Sequence, residues 1–178
     1  MLKAGDIVFT EAEVWTATRK IIRKSSGGGR TVHAAIAEGK TTYVFESVRG
    51  GGGLRRHYLS PDDSYTVYRH RQREIGQLMA VIAEGYVAER EGSGGKYGKY
   101  SIPKLILARG RKGRGGEREQ WGAKRTSKFY CSNFVTRVLM AAQQAAGGGV
   151  YHPGLNTHIS PAGLKEFLAS DPYWVPVM

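Results

Sequence analysis

Cys131 is the single cysteine of the chain, and it stands where the segment SKFYCSNFVTRVLMAAQQAA passes from two aromatics into an amphipathic stretch. A thiol becomes a nucleophile as the thiolate, and a helix N-terminus favours that form through unpaired N–H groups and the helix dipole. An imidazole alongside does more, taking the proton and later returning it to a leaving group. Five histidines are available: His33, His57, His70, His152 and His158. His33 is the best placed, because it lies inside the apolar run TVHAAIA, where a polar ring needs a reason to be present. His57 follows two arginines before a turn, His70 ends a strand among arginines, and His152 and His158 fall in a Pro/Gly/Asn loop.

By default a lone strand histidine is a satisfied structural residue and a lone cysteine is an inert buried thiol. Glu46, in YVFESV, weighs against both defaults. TVHAAIAEG and TTYVFESV flank Gly39-Lys40 and read as a hairpin with a tight turn there. Pairs whose numbers sum to about 79 then face each other, which sets His33 opposite Glu46 on one face of the sheet. A carboxylate in that position orients the ring and stabilises its cation, as the third member of a nucleophile–base–orienter set.

These residues need elements to position them. GDIVFT reads as a turn and a buried strand. Glu11 to Lys24 has the spacing of a basic amphipathic helix, ended by SSGGGR. GGGG at 50–53 is a break, and SYTVYRHR is a third core strand after the hairpin pair. Ile75, Leu78, Met79, Ile82, Tyr86 and Val87 recur at helical spacing from Glu74 to Glu91, whereas SIPKLILARG fits a short helix or a strand. After Cys131, the residues Phe134, Val135, Val138, Leu139 and Ala142 form one helix face, which GGGVYHPGLN stops. SPAGLKEFL carries a Ser N-cap and a Pro at the first helical position. YWVPV is an edge strand or an extended tail. The order predicts an α+β fold: a small antiparallel sheet packed against the cysteine-bearing helix.

The length, 178 residues, suits a single domain over 1–178, with a basic, glycine-rich loop inserted at about 92–126. Net charge is +12, and Lys99 to Lys128 alone holds ten Lys/Arg against two Glu. Such a stretch is a solvated loop carrying charge or a contact for an anionic surface, with Arg109, Arg111, Lys112 and Arg114 at its centre. One cysteine excludes an internal disulfide and a thiolate zinc site. No apolar run is long enough to span a bilayer, and the N-terminus lacks the pattern of a secretory signal. The expected location is the cytoplasm of the producing cell, or outside it by a route without a signal peptide.

In this order, GDIVFT, VHAAIAEG, YVFESV, FYCSNFV and ISPAGLKEFLASDPYWVPV resemble the circularly permuted papain-like hydrolases. These are the bacterial YiiX/YebB-like branch of the NlpC-type cysteine peptidase superfamily, related to lecithin retinol acyltransferase-like enzymes. In that branch the histidine strand precedes the cysteine helix, as here. The resemblance implies a permuted papain-like fold, Cys131 as nucleophile, His33 as general base and acid, and Glu46 as its orienting partner. It implies no metal or organic cofactor. Ala35 stands where a glycine is frequent, and Asn133 where a carboxylate is frequent. The backbone N–H of Cys131 is the first oxyanion donor expected, with Tyr130 or a strand backbone group as the second.

The activity expected is cleavage of an amide bond in a peptide or peptidoglycan-like substrate through a thiol acyl-enzyme. The alternatives are a lipid-directed acyltransferase or lipase of the same fold, with the basic loop on an anionic membrane, and a non-catalytic nucleic-acid-binding module. Interleaved tyrosines and lysines in GKYGKYSIPKLILARGRKGRGG speak for the last. It leaves His33, Glu46 and Cys131 unexplained.

Overall fold

A computed structural model describes residues 1–11, 31–39, 41–48, 53–60, 64–92, 99–100, 128–147, 155 and 159–177. Among the described residues, eight strands and three helices run in the order β1 (Ile7–Glu11), β2 (Thr31–Ala37), β3 (Tyr43–Val48), β4 (Gly53–Tyr58), β5 (Tyr65–His70), α1 (Arg73–Gly92), β6 (Lys99–Tyr100), β7 (Lys128–Phe129), α2 (Cys131–Ala145), α3 (Pro161–Ser170) and β8 (Trp174–Val177). Six strands form one sheet in the order β4-β3-β2-β1-β5-β8, with every neighbour antiparallel. The α+β class, the antiparallel sheet and the cysteine-bearing helix therefore stand as the sequence predicts. Among the described residues no helix is long and apolar enough to cross a membrane.

β1 is central, and both of its faces are covered, which is why its sequence is a continuous apolar run and not an alternating one. Ile7 and Phe9 join the main core with Ala34, Ile36, Phe45 and Leu54 of the sheet and with residues of all three helices. Val8 faces the other way, among Ala35, Ala37, Val44, Leu59 and Val67. Just before β1, the φ of Gly5 is +77°, and a Cβ there would fall 2.1 Å from the carbonyl oxygen of Gly76 in α1. Only glycine permits both the turn and that approach.

The hairpin departs from expectation in two ways. The observed pairs are Ala35↔Glu46, Ile36↔Phe45 and Ala37↔Val44, two residues away from the predicted register. The turn is longer than a two-residue one: β2 ends at Ala37, β3 begins at Tyr43, and Glu38 N–H donates to the Tyr43 carbonyl at 3.0 Å. Within it Thr41 Oγ1 donates to Glu38 Oε2 at 2.7 Å and accepts from Tyr43 N–H at 3.2 Å. Extra loop residues move the register, but an even shift leaves every side chain on its predicted face.

β4 is a strand that the sequence conceals. GLRRHY has one large apolar residue, Leu54, which is buried, while Arg56, His57 and Tyr58 are exposed. A strand at the sheet's edge can be this polar, since only one side has a partner. The expected helix over 12–24, the segment SIPKLILARG, His152 and His158 lie outside the described residues; Glu11 itself ends β1. The same holds for Arg109, Arg111, Lys112 and Arg114. Backbone pairing of β6 with β7, Lys99↔Lys128 and Tyr100↔Phe129, brings together the two ends of the basic insertion.

α2 and α3 begin as their sequences predict. Ser160 caps α3 by accepting from Gly163 N–H at 3.1 Å, and Pro161 occupies its first turn. α2 is buried more completely than an amphipathic helix requires. Besides Phe134, Val135, Val138, Leu139 and Ala142, the polar Ser132, Asn133 and Thr136 are inside. Ser132 Oγ donates to the Ile159 carbonyl at 2.7 Å, and Thr136 Oγ1 donates to the Ser132 carbonyl at 2.7 Å. The chain entering α3 thus covers the polar side of the first turn of α2. Gly147, at φ +100°, closes the other end by donating to the Gln144 carbonyl.

Candidate functional site

Cys131 is the first residue of α2, with Tyr130 in extended conformation at the N-cap position. Its sulfur is therefore placed at the positive end of a 15-residue helix that has no acidic side chain in its first turn. The hydrogen bond from Phe134 N–H to the Tyr130 carbonyl, 2.9 Å, fixes the start of the helix. The cysteine is free and fully buried.

His33 reaches this point from β2. It pairs with Thr10 of β1, and the next pair is Glu11↔Thr31, so Val32 is an extra residue opposite the junction of Thr10 and Glu11. The ring thus sits beside a β-bulge, a device that bends a strand and redirects its side chains. Glu46 lies diagonally across the β2–β3 ladder, two positions from the residue directly opposite, and not face to face as the expected register has it. Both side chains are on one face and both are long enough to meet: His33 Nε2 is 2.7 Å from Glu46 Oε2.

Cys131 also acts on the ring. Burial alone pulls the imidazole down. The charge and hydrogen bond of Cys131, together with those of Glu46, outweigh it and raise the His33 pKa to about 10. Burial likewise pushes Glu46 up, but hydrogen bonds and charge from His33 and then Arg55 hold its carboxyl at about 2. The ring is protonated at neutral pH between a sulfur and a carboxylate. About a fifth of the His33 side chain (21%) is exposed, so the pair approaches the surface at His33 and not at the sulfur.

Arg55 is the residue that sequence reasoning missed. It stands directly opposite Glu46 in the β3–β4 ladder, and Nε (2.8 Å) and Nη2 (2.7 Å) both reach Oε1. The signal for it is the β3–β4 pairing, which becomes visible only once GLRRHY is recognised as a strand.

The remaining candidates separate from this group. Tyr130 is fully buried, and its side chain makes no helix-capping hydrogen bond. His57 is exposed on β4. His70, at the end of β5, is buried, stacked on Tyr173 and edge-on to Trp174, with Nδ1 accepting from Gln72 N–H at 3.1 Å. Among the described residues no cluster of three or more His, Cys, Asp or Glu side chains is placed to hold a metal ion. No protein-family model matches the chain, and no curated protein matches it in sequence.

Proposed function

We propose that the protein is a cysteine-dependent hydrolase that cleaves an amide bond through a thiol acyl-enzyme, with Cys131 as nucleophile, His33 as proton carrier and Glu46 as its orienting partner. One observation carries this reading. An imidazole with a raised pKa lies 2.7 Å from a buried carboxylate and is acted on by the sole thiol, at the first residue of a helix. An inert buried thiol needs no such partner.

In the reaction, the proton of Cys131 resides on His33 and the sulfur attacks the substrate carbonyl carbon. A C–S bond forms and the carbonyl π electrons move onto oxygen, where the Cys131 N–H is one donor available to them. Collapse re-forms the C=O bond and breaks the C–N bond. His33 delivers its proton to the departing amine. Water then attacks the thioester while His33 takes a proton from it, and the sulfur leaves. Glu46 remains ionised throughout and keeps the ring in one orientation. The permuted papain-like fold, and a peptide or peptidoglycan-like substrate, are proposed on the resemblance of the motifs. The basic insertion is proposed to contact an anionic surface, and its ends are tethered one residue before Tyr130-Cys131.

The test needs no substrate. The rate of Cys131 alkylation by iodoacetamide is measured from pH 4 to 11 and compared with a model thiol. Access to a buried sulfur scales the whole curve, so its shape is what decides. The proposal expects the folded protein's curve to differ in shape from that of the model thiol, because the sulfur is coupled to His33. It fails if the folded protein follows the model thiol, or if Cys131 reacts only after unfolding in denaturant.

A further inference from the structure

Glu46 has two carboxylate oxygens and two partners, and they are not shared. Both Arg55 donors converge on Oε1, while Oε2 alone faces His33. A glutamate terminus rotates in a broad, roughly two-fold well, so one hydrogen bond to an imidazole does not fix its plane. A planar guanidinium arriving from the neighbouring strand does, because its donors are rigidly related. We infer that Arg55 is a positioning residue of this site: by holding Oε1 of Glu46 it turns Oε2 to His33, and so sets the ring against Cys131.

The inference rests on the proposed function and adds a fourth member to it. Arg55, Glu46, His33 and Cys131 each come from a different element: β4, β3, β2 and α2. The charged groups acting on Glu46 are His33 from β2 and Arg55 from β4, and Cys131 from α2 acts through the ring. Its neighbour Arg56 provides the contrast. It lies over the Tyr43 ring at 3.7 Å and binds Glu38 through Nε (2.9 Å) and Nη2 (2.8 Å), away from the thiol and its histidine. Two adjacent arginines on one strand therefore have separate tasks. The guanidinium of Arg55 is also substantially exposed, at 43% of the side chain, so removing it leaves no large cavity.

The experiment compares Arg55→Met, Arg55→Gln and the control Arg56→Met with wild type. Two curves are read for each: the pH titration of the Glu46 carboxyl carbon by NMR, and the pH profile of Cys131 alkylation by iodoacetamide. Wild-type Glu46 stays ionised down to about pH 2. Without the arginine its titration is expected to move up by at least about one unit, and the alkylation profile to depart from wild type as the ring loses its orientation against the sulfur. Arg56→Met is expected to overlay wild type on both curves. Arg55→Gln, which keeps a donor and removes the charge, carries the same comparison if the Met variant does not fold. Both curves must shift in the folded Arg55 variant, and either one staying on wild type overturns the inference. A wild-type alkylation profile like that of a free thiol overturns the proposed function, and the inference with it. A distinct wild-type profile reproduced unchanged without Arg55 overturns the inference alone.

Discussion

Two of the sheet's arginine–carboxylate pairs, Arg69–Asp6 and Arg55–Glu46, differ in what their second oxygen meets. At Asp6, Arg69 donates Nε to Oδ1 at 2.7 Å and Nη2 to Oδ2 at 2.6 Å, and the Lys3 N–H adds a bond to Oδ2 at 2.7 Å. Both oxygens are occupied by groups that keep their protons at any physiological pH. The pair clamps the lead-in of β1 to β5. At Glu46, by contrast, the arginine takes one oxygen and leaves the other to a titratable ring that touches a thiol. The carboxylates are almost equally buried, at 1% for Asp6 and 4% for Glu46. Burial and pairing therefore do not distinguish a fastener from a working group. The partner on the second oxygen does.

The largest effects expected are on the thiol. Cys131→Ala removes the sole site of alkylation and abolishes turnover of any confirmed substrate. His33→Ala keeps the thiol but removes the cation beside it, and the alkylation rate at pH 6 is expected to fall roughly a hundredfold. Alkylation that is unchanged in His33→Ala would sink the comparison, because Glu46 would then be a fastener like Asp6.

Next in size is a crossed pair of substitutions. Asp6→Asn leaves the Arg69 guanidinium facing a neutral amide and is expected to destabilise the fold by about 3–5 kcal/mol. The shape of the alkylation profile should not change. Glu46→Gln still orients the ring through its amide and costs less stability, about 1–3 kcal/mol, but it should distort that profile. Chemical denaturation and alkylation of both variants check this. If Asp6→Asn distorts the profile as much as Glu46→Gln does, the division of labour is wrong.

How much of this is legible in the sequence follows from how local each cause is. The start of α3 could be read from Ser160-Pro161, and that of α2 from the change of pattern at Cys131, because capping and periodicity act within a turn. His33 and Glu46 were legible as partners, since parity survived an even error in register; their diagonal offset was not, because loop length sets it. Arg55 was hidden by β4, whose single large apolar side chain, Leu54, gives no alternation to detect. The bulge at Val32 depends on β1 pairing, and the burial of His70 on Tyr173 and Trp174, a hundred residues later. Contacts of that range leave no mark in a local window.

A smaller effect separates the pairs by pH. The His33 pKa is raised from 6.5 to about 10, so its contribution to stability is complete below pH 6.5 and is lost as pH rises through about 10. Glu46 is lowered from 4.5 to about 2, so its contribution is present above pH 4.5 and is lost as pH falls toward 2. The stability gap between wild type and Glu46→Gln should therefore be widest between about pH 4.5 and 6.5 and narrow on either side. The Asp6→Asn gap should stay flat from pH 5 to 9, because Arg69, which Asp6 pushes higher still, does not titrate there. Denaturation midpoints across pH measure both, and parallel curves for the two variants would contradict the assignment.

The smallest effect on the site should come from its most charged neighbour. Arg109, Arg111, Lys112 and Arg114 belong to an insertion whose ends are joined by the β6–β7 ladder, close to Cys131 in the chain. Charges that act through solvent are screened over about 10 Å at 0.1 M salt, whereas His33 is the thiol's own neighbour and Glu46 acts through that ring at 2.7 Å. Changing all four to Gln lowers the net charge from +12 to +8 by removing four positive charges. Alkylation by neutral iodoacetamide should then change little, since charges screened by solvent contribute weakly. Binding to phosphatidylglycerol vesicles should weaken, with a shallower dependence on salt than wild type shows. Titrations at two ionic strengths decide between surface contact and uninvolved charge: equal affinities for both proteins would leave the insertion without an anionic partner. A large loss of alkylation would instead make it part of the thiol's own surroundings, a role that the Arg55–Glu46–His33 chain fills without it.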